Sequence, residues 1–266
     1  MTEFQTAVSD AHAGRVLIRG YSHERIIGRL PYAEATYLTL VGELPSPERA
    51  RLVDAILTSL LDHGFVASTI TAARYIASGN PQLVPAVAGG LLAAGQNTLS
   101  PQHAFELIGH ALQLRAERGL SVDDAARAVV EELRAAGRRV PGFGHPIHRE
   151  GDFRATVLFQ LADELELAGE ATRMYRAIHG AFAEITGKTG IPINIDGCLA
   201  CLGMDLGLSA DQTVALALLA VLPGLMAHVI EEIETGKPLR YIEDGAYVGE
   251  PERSLPERES TPREST

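Results

Sequence analysis

The segment VPGFGHPIHREGDFRA, residues 140–155, brings two histidines and two arginines close together. Histidine can donate or accept a proton near neutral pH. Gly142 and Gly144 allow the backbone to turn tightly and to approach a ligand closely. His145 is therefore a candidate for proton transfer, and the alternative is a solvated loop before a helix.

Arg154 stands just after a predicted helix start. Asp152 is expected to cap that helix, which places Arg154 in its first turn. A cation there opposes the helix dipole. Arg154 is therefore expected to have another task, such as holding a carboxylate with two parallel hydrogen bonds.

Two other segments carry candidate groups. Asp196 follows the isoleucine-rich run 191–195 and begins an apolar helix. An acid there is commonly a cap, but it can also be a desolvated base with a raised pKa. His63 ends a predicted helix just before Gly64, where an interaction with the helix end is the simpler account.

The segments that must position these groups mostly show the spacing of apolar residues that is typical of helices, so the sequence predicts a mainly α protein. Capping residues and Gly or Pro breaks predict helices over 31–41, 47–63, 68–78, 84–94, 100–118, 121–137, 152–167, 170–187, 194–206 and 210–236. Residues 15–19 are the convincing strand candidate, and 241–242 are a weaker one.

Composition excludes some classes of partner. The 266 residues carry a net charge of −11, which argues against nucleic acid and against anionic membranes. The longest apolar run, 214–227, falls short of a membrane span. The opening MTEFQTAVSD is polar and acidic, so no signal peptide is expected.

The two cysteines, Cys198 and Cys201, lie in an apolar run and are expected to be inert buried thiols. Such thiols favour a reducing cytoplasmic location. The tail EPERSLPERESTPREST is rich in Pro, Glu and Arg. It is expected to be disordered or to lie over a partner.

Five segments, in this order, resemble the citrate synthase family. They are IRGYSHERIIGRLPYAEATYLTLVGELPS (family YRGY…EVAYLLLxGELP), DHGFVAST (DHExNAST), VPGFGHPIHREGDFRA (GFGHxVY…DPRA), INIDGCLACLG (PNVDFYSG…LG) and MAHVIEEIETGKPLR (AHxxEQ…xxLIRP). The resemblance covers about residues 18–247. The chain is shorter than a full synthase and is most similar to the citryl-CoA lyase branch, which includes the C-terminal module of ATP-citrate lyase.

The resemblance implies a two-lobed, nearly all-helical fold that works as a homodimer or a higher homo-oligomer. Residues 1–99 and 198–250 would form a large domain, and 100–197 a small domain carrying His145 and Asp196. Residues 251–266 would be the disordered or partner-contacting tail.

Residue roles follow from the same resemblance. His145 matches the histidine that hydrogen-bonds the keto or tertiary hydroxyl oxygen. Asp196 matches the carboxylate that handles the acyl-CoA methyl proton. His63 matches a histidine that binds the dicarboxylate, and Arg154 matches an arginine that holds a substrate carboxylate. In cleavage, a group must also take the alcohol proton, which suits His145.

The coenzyme A contacts are expected in the same loop. Arg149 matches a basic residue near the CoA phosphates, and Gly142, Phe143 and Gly144 are expected to bind CoA beside it. The implied ligands are an acyl-CoA and a di- or tricarboxylate. No clustered metal-ligand spacing appears in the sequence, so no metal is expected.

Two positions depart from the family. The histidine of its GPLHGGAN segment, which polarises the thioester carbonyl, falls on Thr98. Thr98 or Asn97 could still donate a weaker hydrogen bond there. His103 is expected to be a solvated first-turn residue.

The second departure affects substrate carboxylate binding. An arginine that holds a carboxylate falls on Val221, and an unpaired carboxylate is costly. The acceptor could carry fewer carboxylates, or Arg240 or a tail arginine of the partner could substitute.

The sequence therefore predicts cleavage of a citryl-CoA-like thioester to acetyl-CoA and a 2-oxo acid such as oxaloacetate. The alternatives are a condensing acyltransferase of citrate synthase type and a non-catalytic protein that binds CoA or carboxylates. Residue types at the site carry more weight than the fold, because a fold alone does not fix function.

Overall fold

The computed structural model describes residues 4–255 and confirms the mainly helical prediction. Its α-helices are α1 His23–Ile26, α2 Tyr32–Val41, α3 Pro47–Ser59, α4 Ser68–Gly79, α5 Leu83–Leu91, α6 Pro101–Arg118, α7 Val122–Ala135, α8 Phe153–Glu164, α9 Glu170–Thr186, α10 Ile195–Asp205 and α11 Ala210–Thr235. The last part of the predicted tail, 256–266, lies outside the described residues.

A small antiparallel sheet precedes the helices, with strands β1 Ser9–His12, β2 Arg15–Ile18 and β3 Tyr21–Ser22 in that order. The strand predicted at 15–19 is thus confirmed, but the candidate at 241–242 is not a strand. β1, β3 and α1 were not predicted: each has four or fewer residues, and none has the run of large apolar residues that marks β2.

Helix starts follow the capping residues closely. Five polar side chains accept a hydrogen bond from a backbone N–H of the first turn, at Ser46, Ser121, Asp152, Asn194 and Ser209. The end of α3 differs from the prediction, because the helix ends at Ser59 and not at His63. The hydroxyls of Thr58 and Ser59 donate to the carbonyls of Ala55 and Ile56, which competes with continuation of the helix.

One large apolar core runs from α2 to α11 and surrounds α10, in which nearly every side chain is buried. This core contains residues from both predicted domains, and the predicted division stays a prediction. Burial raises the pKa of Cys198 and raises that of Cys201 to about 12. Both thiols are therefore buried and protonated, as expected for inert core cysteines.

Helix α11 extends beyond the apolar run 214–227 at both ends. Its 26 residues are long and apolar enough, by length and composition, to cross a membrane. That property is weak evidence for a membrane because core helices of globular proteins share it. Gly224 of α11 lies against the carbonyl of Leu61, and a Cβ there would overlap this carbonyl. The glycine therefore lets α11 approach the loop that carries His63.

Candidate active site

A cavity of about 810 Å³ opens where four chain segments meet. These segments are the loop after α3, the turn before α6, the loop before α8 and the start of α10. The structure brings most of the sequence-predicted site residues to this cavity, namely His63, Asn97, Thr98, Gly142, Phe143, Gly144, His145, Arg154 and Asp196. Val221, the position at which the family has an arginine, also lines the cavity and adds an apolar surface.

The loop of His145 is fixed by short-range pairing with the segment before α10. Phe143 forms an isolated antiparallel bridge with Ile193. The amide of Asn194 donates to the carbonyl of Gly142 at 2.9 Å, and its side-chain amide donates to the carbonyl of Gly144 at 2.8 Å. This pairing holds His145 close to Asp196, although 50 residues separate Gly144 from Asn194.

Gly142 has a packing role that the sequence did not indicate. Its φ of +79° is left-handed, and a Cβ there would overlap the Tyr175 hydroxyl and the Gly197 backbone. The Tyr175 hydroxyl itself donates to the carbonyl of Pro141 at 2.7 Å. The glycine is therefore required by close packing against α9 and α10.

Asp152 joins the loop to α10. Its carboxylate accepts from Nε and Nη2 of Arg154 at 2.9 and 2.8 Å, and from the amide of Ile195 at 2.9 Å. Burial alone would raise the pKa of Asp152, but these bonds and the Arg154 charge hold it below its usual range. The predicted cap is confirmed. The carboxylate that Arg154 holds in the structure is thus that of Asp152.

Asp196 lies in the first turn of α10, where Asn194 is the cap. One carboxylate oxygen accepts the amide N–H of Ser100 at 3.3 Å. Desolvation raises the pKa of Asp196, and the Ser100 bond and the Arg154 charge only partly oppose this shift. Asp196 is consequently not the cap of its helix, and its environment suits an acid or base that exchanges a proton.

His145 is held in one tautomer by its own loop. Its Nδ1 lies 3.2 Å from the amide nitrogen of Ile147 and 3.1 Å from that of His148. Backbone N–H groups only donate, so Nδ1 is unprotonated and Nε2 carries the proton of the neutral ring. Desolvation and the Arg154 charge lower the pKa of His145. In this tautomer Nε2 of His145 is a hydrogen-bond donor, and the expectation that His145 takes the alcohol proton stays a prediction.

His63 lies beyond the end of α3, so it does not cap that helix. Its Nε2 is 2.9 Å from Nε2 of His148, a contact in which only one nitrogen carries a proton. Desolvation, followed by the charges of Arg154 and His148, lowers the pKa of His63. The ring is accordingly neutral near pH 7 and lines the main cavity.

His103 is a site residue that the sequence undervalued. It lines the same cavity, and its buried Nε2 has no hydrogen-bond partner within residues 4–255. The prediction that it is solvated is wrong, because the start of α6 packs against α10 where Ser100 binds Asp196. The sequence signal that could have found His103 is its position in the first turn of α6, three residues after Ser100, the predicted helix cap.

Arg240 is not brought to the main cavity. Its guanidinium pairs with Glu232 at 2.5 and 2.8 Å, and Arg74 binds the same buried carboxylate at 2.7 Å. These contacts direct Arg240 toward α11 rather than toward His145. Arg240 therefore does not replace the arginine missing at Val221, whereas Arg139 lines the main cavity and is available as a cation there.

A second cavity of about 700 Å³ adjoins the first at Arg139, Val140, Phe143, Gly144 and His145. Five cationic side chains line it, of which the sequence singled out only Arg149: Arg134, Arg138, Arg139, Arg149 and Lys188. We call it the basic cleft. Phe182, Ile191 and Pro192 supply apolar surface beside these charges. Such a cleft suits a ligand that combines phosphates with an apolar portion.

Comparisons of the sequence with a family model and with curated proteins indicate the same family. The family model for "Citrate synthase, C-terminal domain" matches residues 17–242. The citrate synthase of Synechocystis sp. is 31% identical over 84% of this chain and 54% of its own length. Putative citrate synthase 2 of Mycobacterium tuberculosis is 28% identical over 92% of this chain and 63% of its own. The chain thus spans little more than half of these relatives.

Solved structures extend the comparison. Citryl-CoA lyase from Hydrogenobacter thermophilus is 31% identical, with a TM-score of 0.86 over 95% of this chain and 97% of that chain. ATP citrate lyase from Methanothrix soehngenii, in complex with citrate and coenzyme A, gives a TM-score of 0.78 at 22% identity. It covers 95% of this chain and 42% of that chain, and it supports the fold alone.

The Asp152→Asn substitution tests whether the buried pair holds the site together. Because it leaves the Arg154 charge buried without its partner, we expect a loss of about 3–5 kcal/mol in the free energy of unfolding near pH 7. The folded-state pKa of Asp152 is lowered, so its contribution is complete above the unfolded value of about 3.9 and is lost as pH falls through the folded value.

Urea unfolding from pH 7 down to pH 3 measures this difference. Asp163→Asn is the matched control, because Asp163 pairs with Arg176 in the same two-bond geometry on the surface. The control should change stability by less than about 1 kcal/mol. Equal losses for the two variants would contradict a special role for Asp152.

Proposed function

The chain belongs to the citrate synthase family, and we propose that it is an enzyme that cleaves a citryl-CoA-like thioester to acetyl-CoA and a 2-oxo acid such as oxaloacetate. The observation that carries the proposal is one cavity with a desolvated acid, Asp196, and a neutral donor, His145, opening into a basic cleft. The similarity to a citryl-CoA lyase along nearly the full length of both chains supports the direction of cleavage.

Cleavage breaks the bond between the hydroxyl-bearing carbon and the carbon next to the thioester carbonyl. The electron pair moves to the thioester side as an enolate, while the alcohol becomes the keto group of the 2-oxo acid. Protonated Asp196 gives its proton to the enolate carbon and forms the acetyl methyl group. A raised pKa favours this step because it keeps Asp196 protonated at higher pH than an ordinary carboxyl group.

The hydroxyl oxygen needs a donor and a proton acceptor. Nε2 of His145 donates to this oxygen and stabilises its negative charge as the bond breaks. A neutral histidine must then take the hydroxyl proton. His63, whose ring centroid is 5.0 Å from that of His145, is the neutral histidine that faces the same cavity.

The enolate oxygen needs a second donor, which the family histidine at position 98 would have supplied. We propose the unpartnered Nε2 of His103 for this role: the residue lines the cavity, and a turn of its ring would bring this buried nitrogen to the enolate oxygen. Thr98 and Asn97 also line the wall and can donate weaker hydrogen bonds. In this arrangement, His103 takes the place of the family histidine whose position falls on Thr98, five residues earlier in the chain.

Two arginines, Arg139 and Arg154, line the main cavity and are available to substrate carboxylates. Arg154 uses Nε and Nη2 on Asp152, which leaves Nη1 for a substrate carboxylate. His63 adds a polar contact, whereas Val221 adds none. The loss of the family arginine at Val221 supports an acid with fewer carboxylates than citrate, or a contribution from a second subunit.

The basic cleft is proposed to hold coenzyme A. Its exposed arginines and Lys188 would bind the phosphates, and the apolar wall at Phe143 and Phe182 would hold less polar parts of the cofactor. Because Gly144 and His145 border both cavities, a thioester could extend from the cleft to Asp196. The reaction requires no metal in this proposal.

A condensing acyltransferase is the second candidate function. The curated relatives named above are citrate synthases, and the same groups can run the reaction in reverse, with ionised Asp196 as the base. Thr98 in the position of the family histidine disfavours it. A non-catalytic protein that binds CoA or carboxylates remains the third alternative.

A homodimer and a cytoplasmic location complete the proposal. On α11, Met226, Ile230 and Ile233 share one exposed face at helical spacing, and Val84 of α5 is 76% exposed. An apolar surface of this kind supports contact with a second copy. The two free, buried cysteines favour a reducing compartment. Nucleic acid and membrane are not proposed as partners.

Purified protein should release acetyl-CoA from citryl-CoA. Asp196→Asn should lower kcat about 10²- to 10⁴-fold because it removes the proton donor. His103→Phe should lower it about 10²- to 10³-fold by removing an enolate donor. Product release is followed by mass spectrometry of the CoA thioesters.

His110→Asn is the control, because His110 is an exposed histidine that pairs with Glu132 on the surface. It should keep the wild-type rate. A wild-type protein without cleavage, but with thiol release from acetyl-CoA and an oxo acid, would favour the synthase. No activity in either direction would favour the non-catalytic alternative.

Charge removal in the basic cleft should weaken CoA binding. We expect Arg138→Ala and Arg149→Ala each to raise the Kd for CoA about 5- to 30-fold, with a loss that shrinks as salt increases. Isothermal titration calorimetry measures the Kd. Arg51→Ala, an exposed arginine of α3 outside both cavities, should leave it unchanged. Equal effects at Arg51 and at the cleft would argue against this site.

The proposed dimer is tested on the exposed face of α11. Ile230→Asp should weaken association at least about 10-fold, since it buries an unpaired charge in the interface. Analytical ultracentrifugation measures the equilibrium. Gln160→Asp, at an exposed position of α8, should not alter it. A wild-type protein that stays monomeric at micromolar concentration would rule the dimer out.

A further inference from the structure

Three histidines of the active-site region form a cluster that the proposed reaction does not fully use. His63, His145 and His148 each offer a ring nitrogen, and these nitrogens all lie within 4.8 Å of one another. We infer that the three histidines bind a divalent transition-metal ion of the Zn²⁺ class, which competes with the substrate. This site could not be predicted from local sequence, because 85 residues separate His63 from His148.

The distances are close to those of a metal site. Nε2 of His63 and Nε2 of His148 are 2.9 Å apart. Two imidazole nitrogens on one tetrahedral Zn²⁺ ion, each bonded at about 2.05 Å, would be roughly 3.3 Å apart. A small outward rotation of either ring therefore admits the ion. The His145 ring is 4.6 Å from that of His148 and 5.0 Å from that of His63, centroid to centroid.

The rings are held near these positions without an ion. Phe153, the first residue of α8, packs edge-on against His148 with centroids 5.4 Å apart. The backbone N–H groups of Ile147 and His148 hold the His145 ring through Nδ1, so the ion must bind Nε2 and displace the proton that Nε2 carries. Preorganised ligands lose less conformational entropy when the ion binds.

The local charge also permits a cation. Arg154 lines the same cavity as His63 and His145, and Asp152 neutralises its charge in a buried pair at 2.8 Å. The three rings add no charge when they are neutral. Two of them, His63 and His145, line the main cavity, so water can reach the open coordination position.

The ligand type selects the ion. Imidazole nitrogens suit Zn²⁺, Co²⁺, Ni²⁺ and Cu²⁺, whereas Mg²⁺ and Ca²⁺ prefer oxygen ligands. The carboxylates close to the cluster are already engaged, Asp152 with Arg154 and Asp62 with His228 at 3.1 Å. The site is therefore specific for the first group of ions.

Competition with the substrate follows from the shared groups, and this part rests on the proposed function. A metal ion on His63 and His145 occupies the nitrogens that would contact the hydroxyl oxygen and its proton. Ion and substrate consequently exclude one another. Inhibition by the metal should be reversible and should weaken as the substrate concentration rises.

Zn²⁺ and Co²⁺ binding tests the site on the full chain, prepared without a polyhistidine tag and stripped with EDTA. Calorimetry with Zn²⁺ should show one ion per chain, and Co²⁺ should give the visible absorption of a tetrahedral site. His148→Asn should weaken Zn²⁺ binding at least about 10- to 100-fold, because even second-shell changes have effects of this size. His110→Asn, the exposed control, should bind like the wild type.

Two results would overturn the inference: no saturable binding by the wild type, or equal affinity in the His148→Asn variant. Circular dichroism and thermal unfolding show whether that variant folds, and His148→Gln provides a second replacement. An affinity loss in only one folded replacement would also count against His148 as a ligand.

The inhibition assay separates this inference from the proposed function. Zn²⁺ should inhibit citryl-CoA cleavage by the wild type, and EDTA should restore it. Relative to its own zinc-free rate, His148→Asn should need at least 10- to 100-fold more Zn²⁺ for the same inhibition. If the protein cleaves no citryl-CoA, the proposed function fails, and the binding data alone still decide whether the metal site exists.

Discussion

The buried carboxylate of Asp152 is the interaction on which the arrangement of the site depends. It caps α8, holds Arg154 and accepts the first amide of α10. The loop of His145 ends at this carboxylate, and Asp196 directly follows Ile195, whose amide the carboxylate binds. Because the charge is almost fully buried, it is stable only while all of these donors are in place. Folding of the loop and positioning of Asp196 are thereby coupled.

The electrostatics around this pair assign different tasks to similar groups. Asp152 and Asp196 are both carboxyls near Arg154, yet hydrogen bonds lower the pKa of the first while desolvation raises that of the second. Protein carboxylates also pair with two of the arginines: Asp152 with Arg154, and Glu232 with Arg240. The main cavity, whose wall holds the Asp152–Arg154 pair, is suited to proton transfer, while the basic cleft carries the charge needed for phosphates, and Arg139 lines both.

Much of this could be predicted from local sequence. The caps at Asp152 and Asn194 set the starts of α8 and α10, and the segments of His63, His145 and Asp196 do converge on one cavity. The prediction failed where the outcome depended on contacts between distant segments. Burial of His103 comes from packing of α6 on α10, and His148 meets His63 across 85 residues. The tautomer of His145 depends on a turn geometry that residue types alone do not specify.

The most direct test of the account is single-turnover cleavage of citryl-CoA in D₂O, followed by mass spectrometry of the acetyl-CoA formed. Asp196 exchanges its proton with solvent, so the account predicts one deuterium in the acetyl methyl group of each product molecule. It also predicts that Asp196→Asn forms this product orders of magnitude more slowly. Wild-type protein that releases no acetyl-CoA, or an Asp196→Asn variant that forms it at the wild-type rate, would contradict the account.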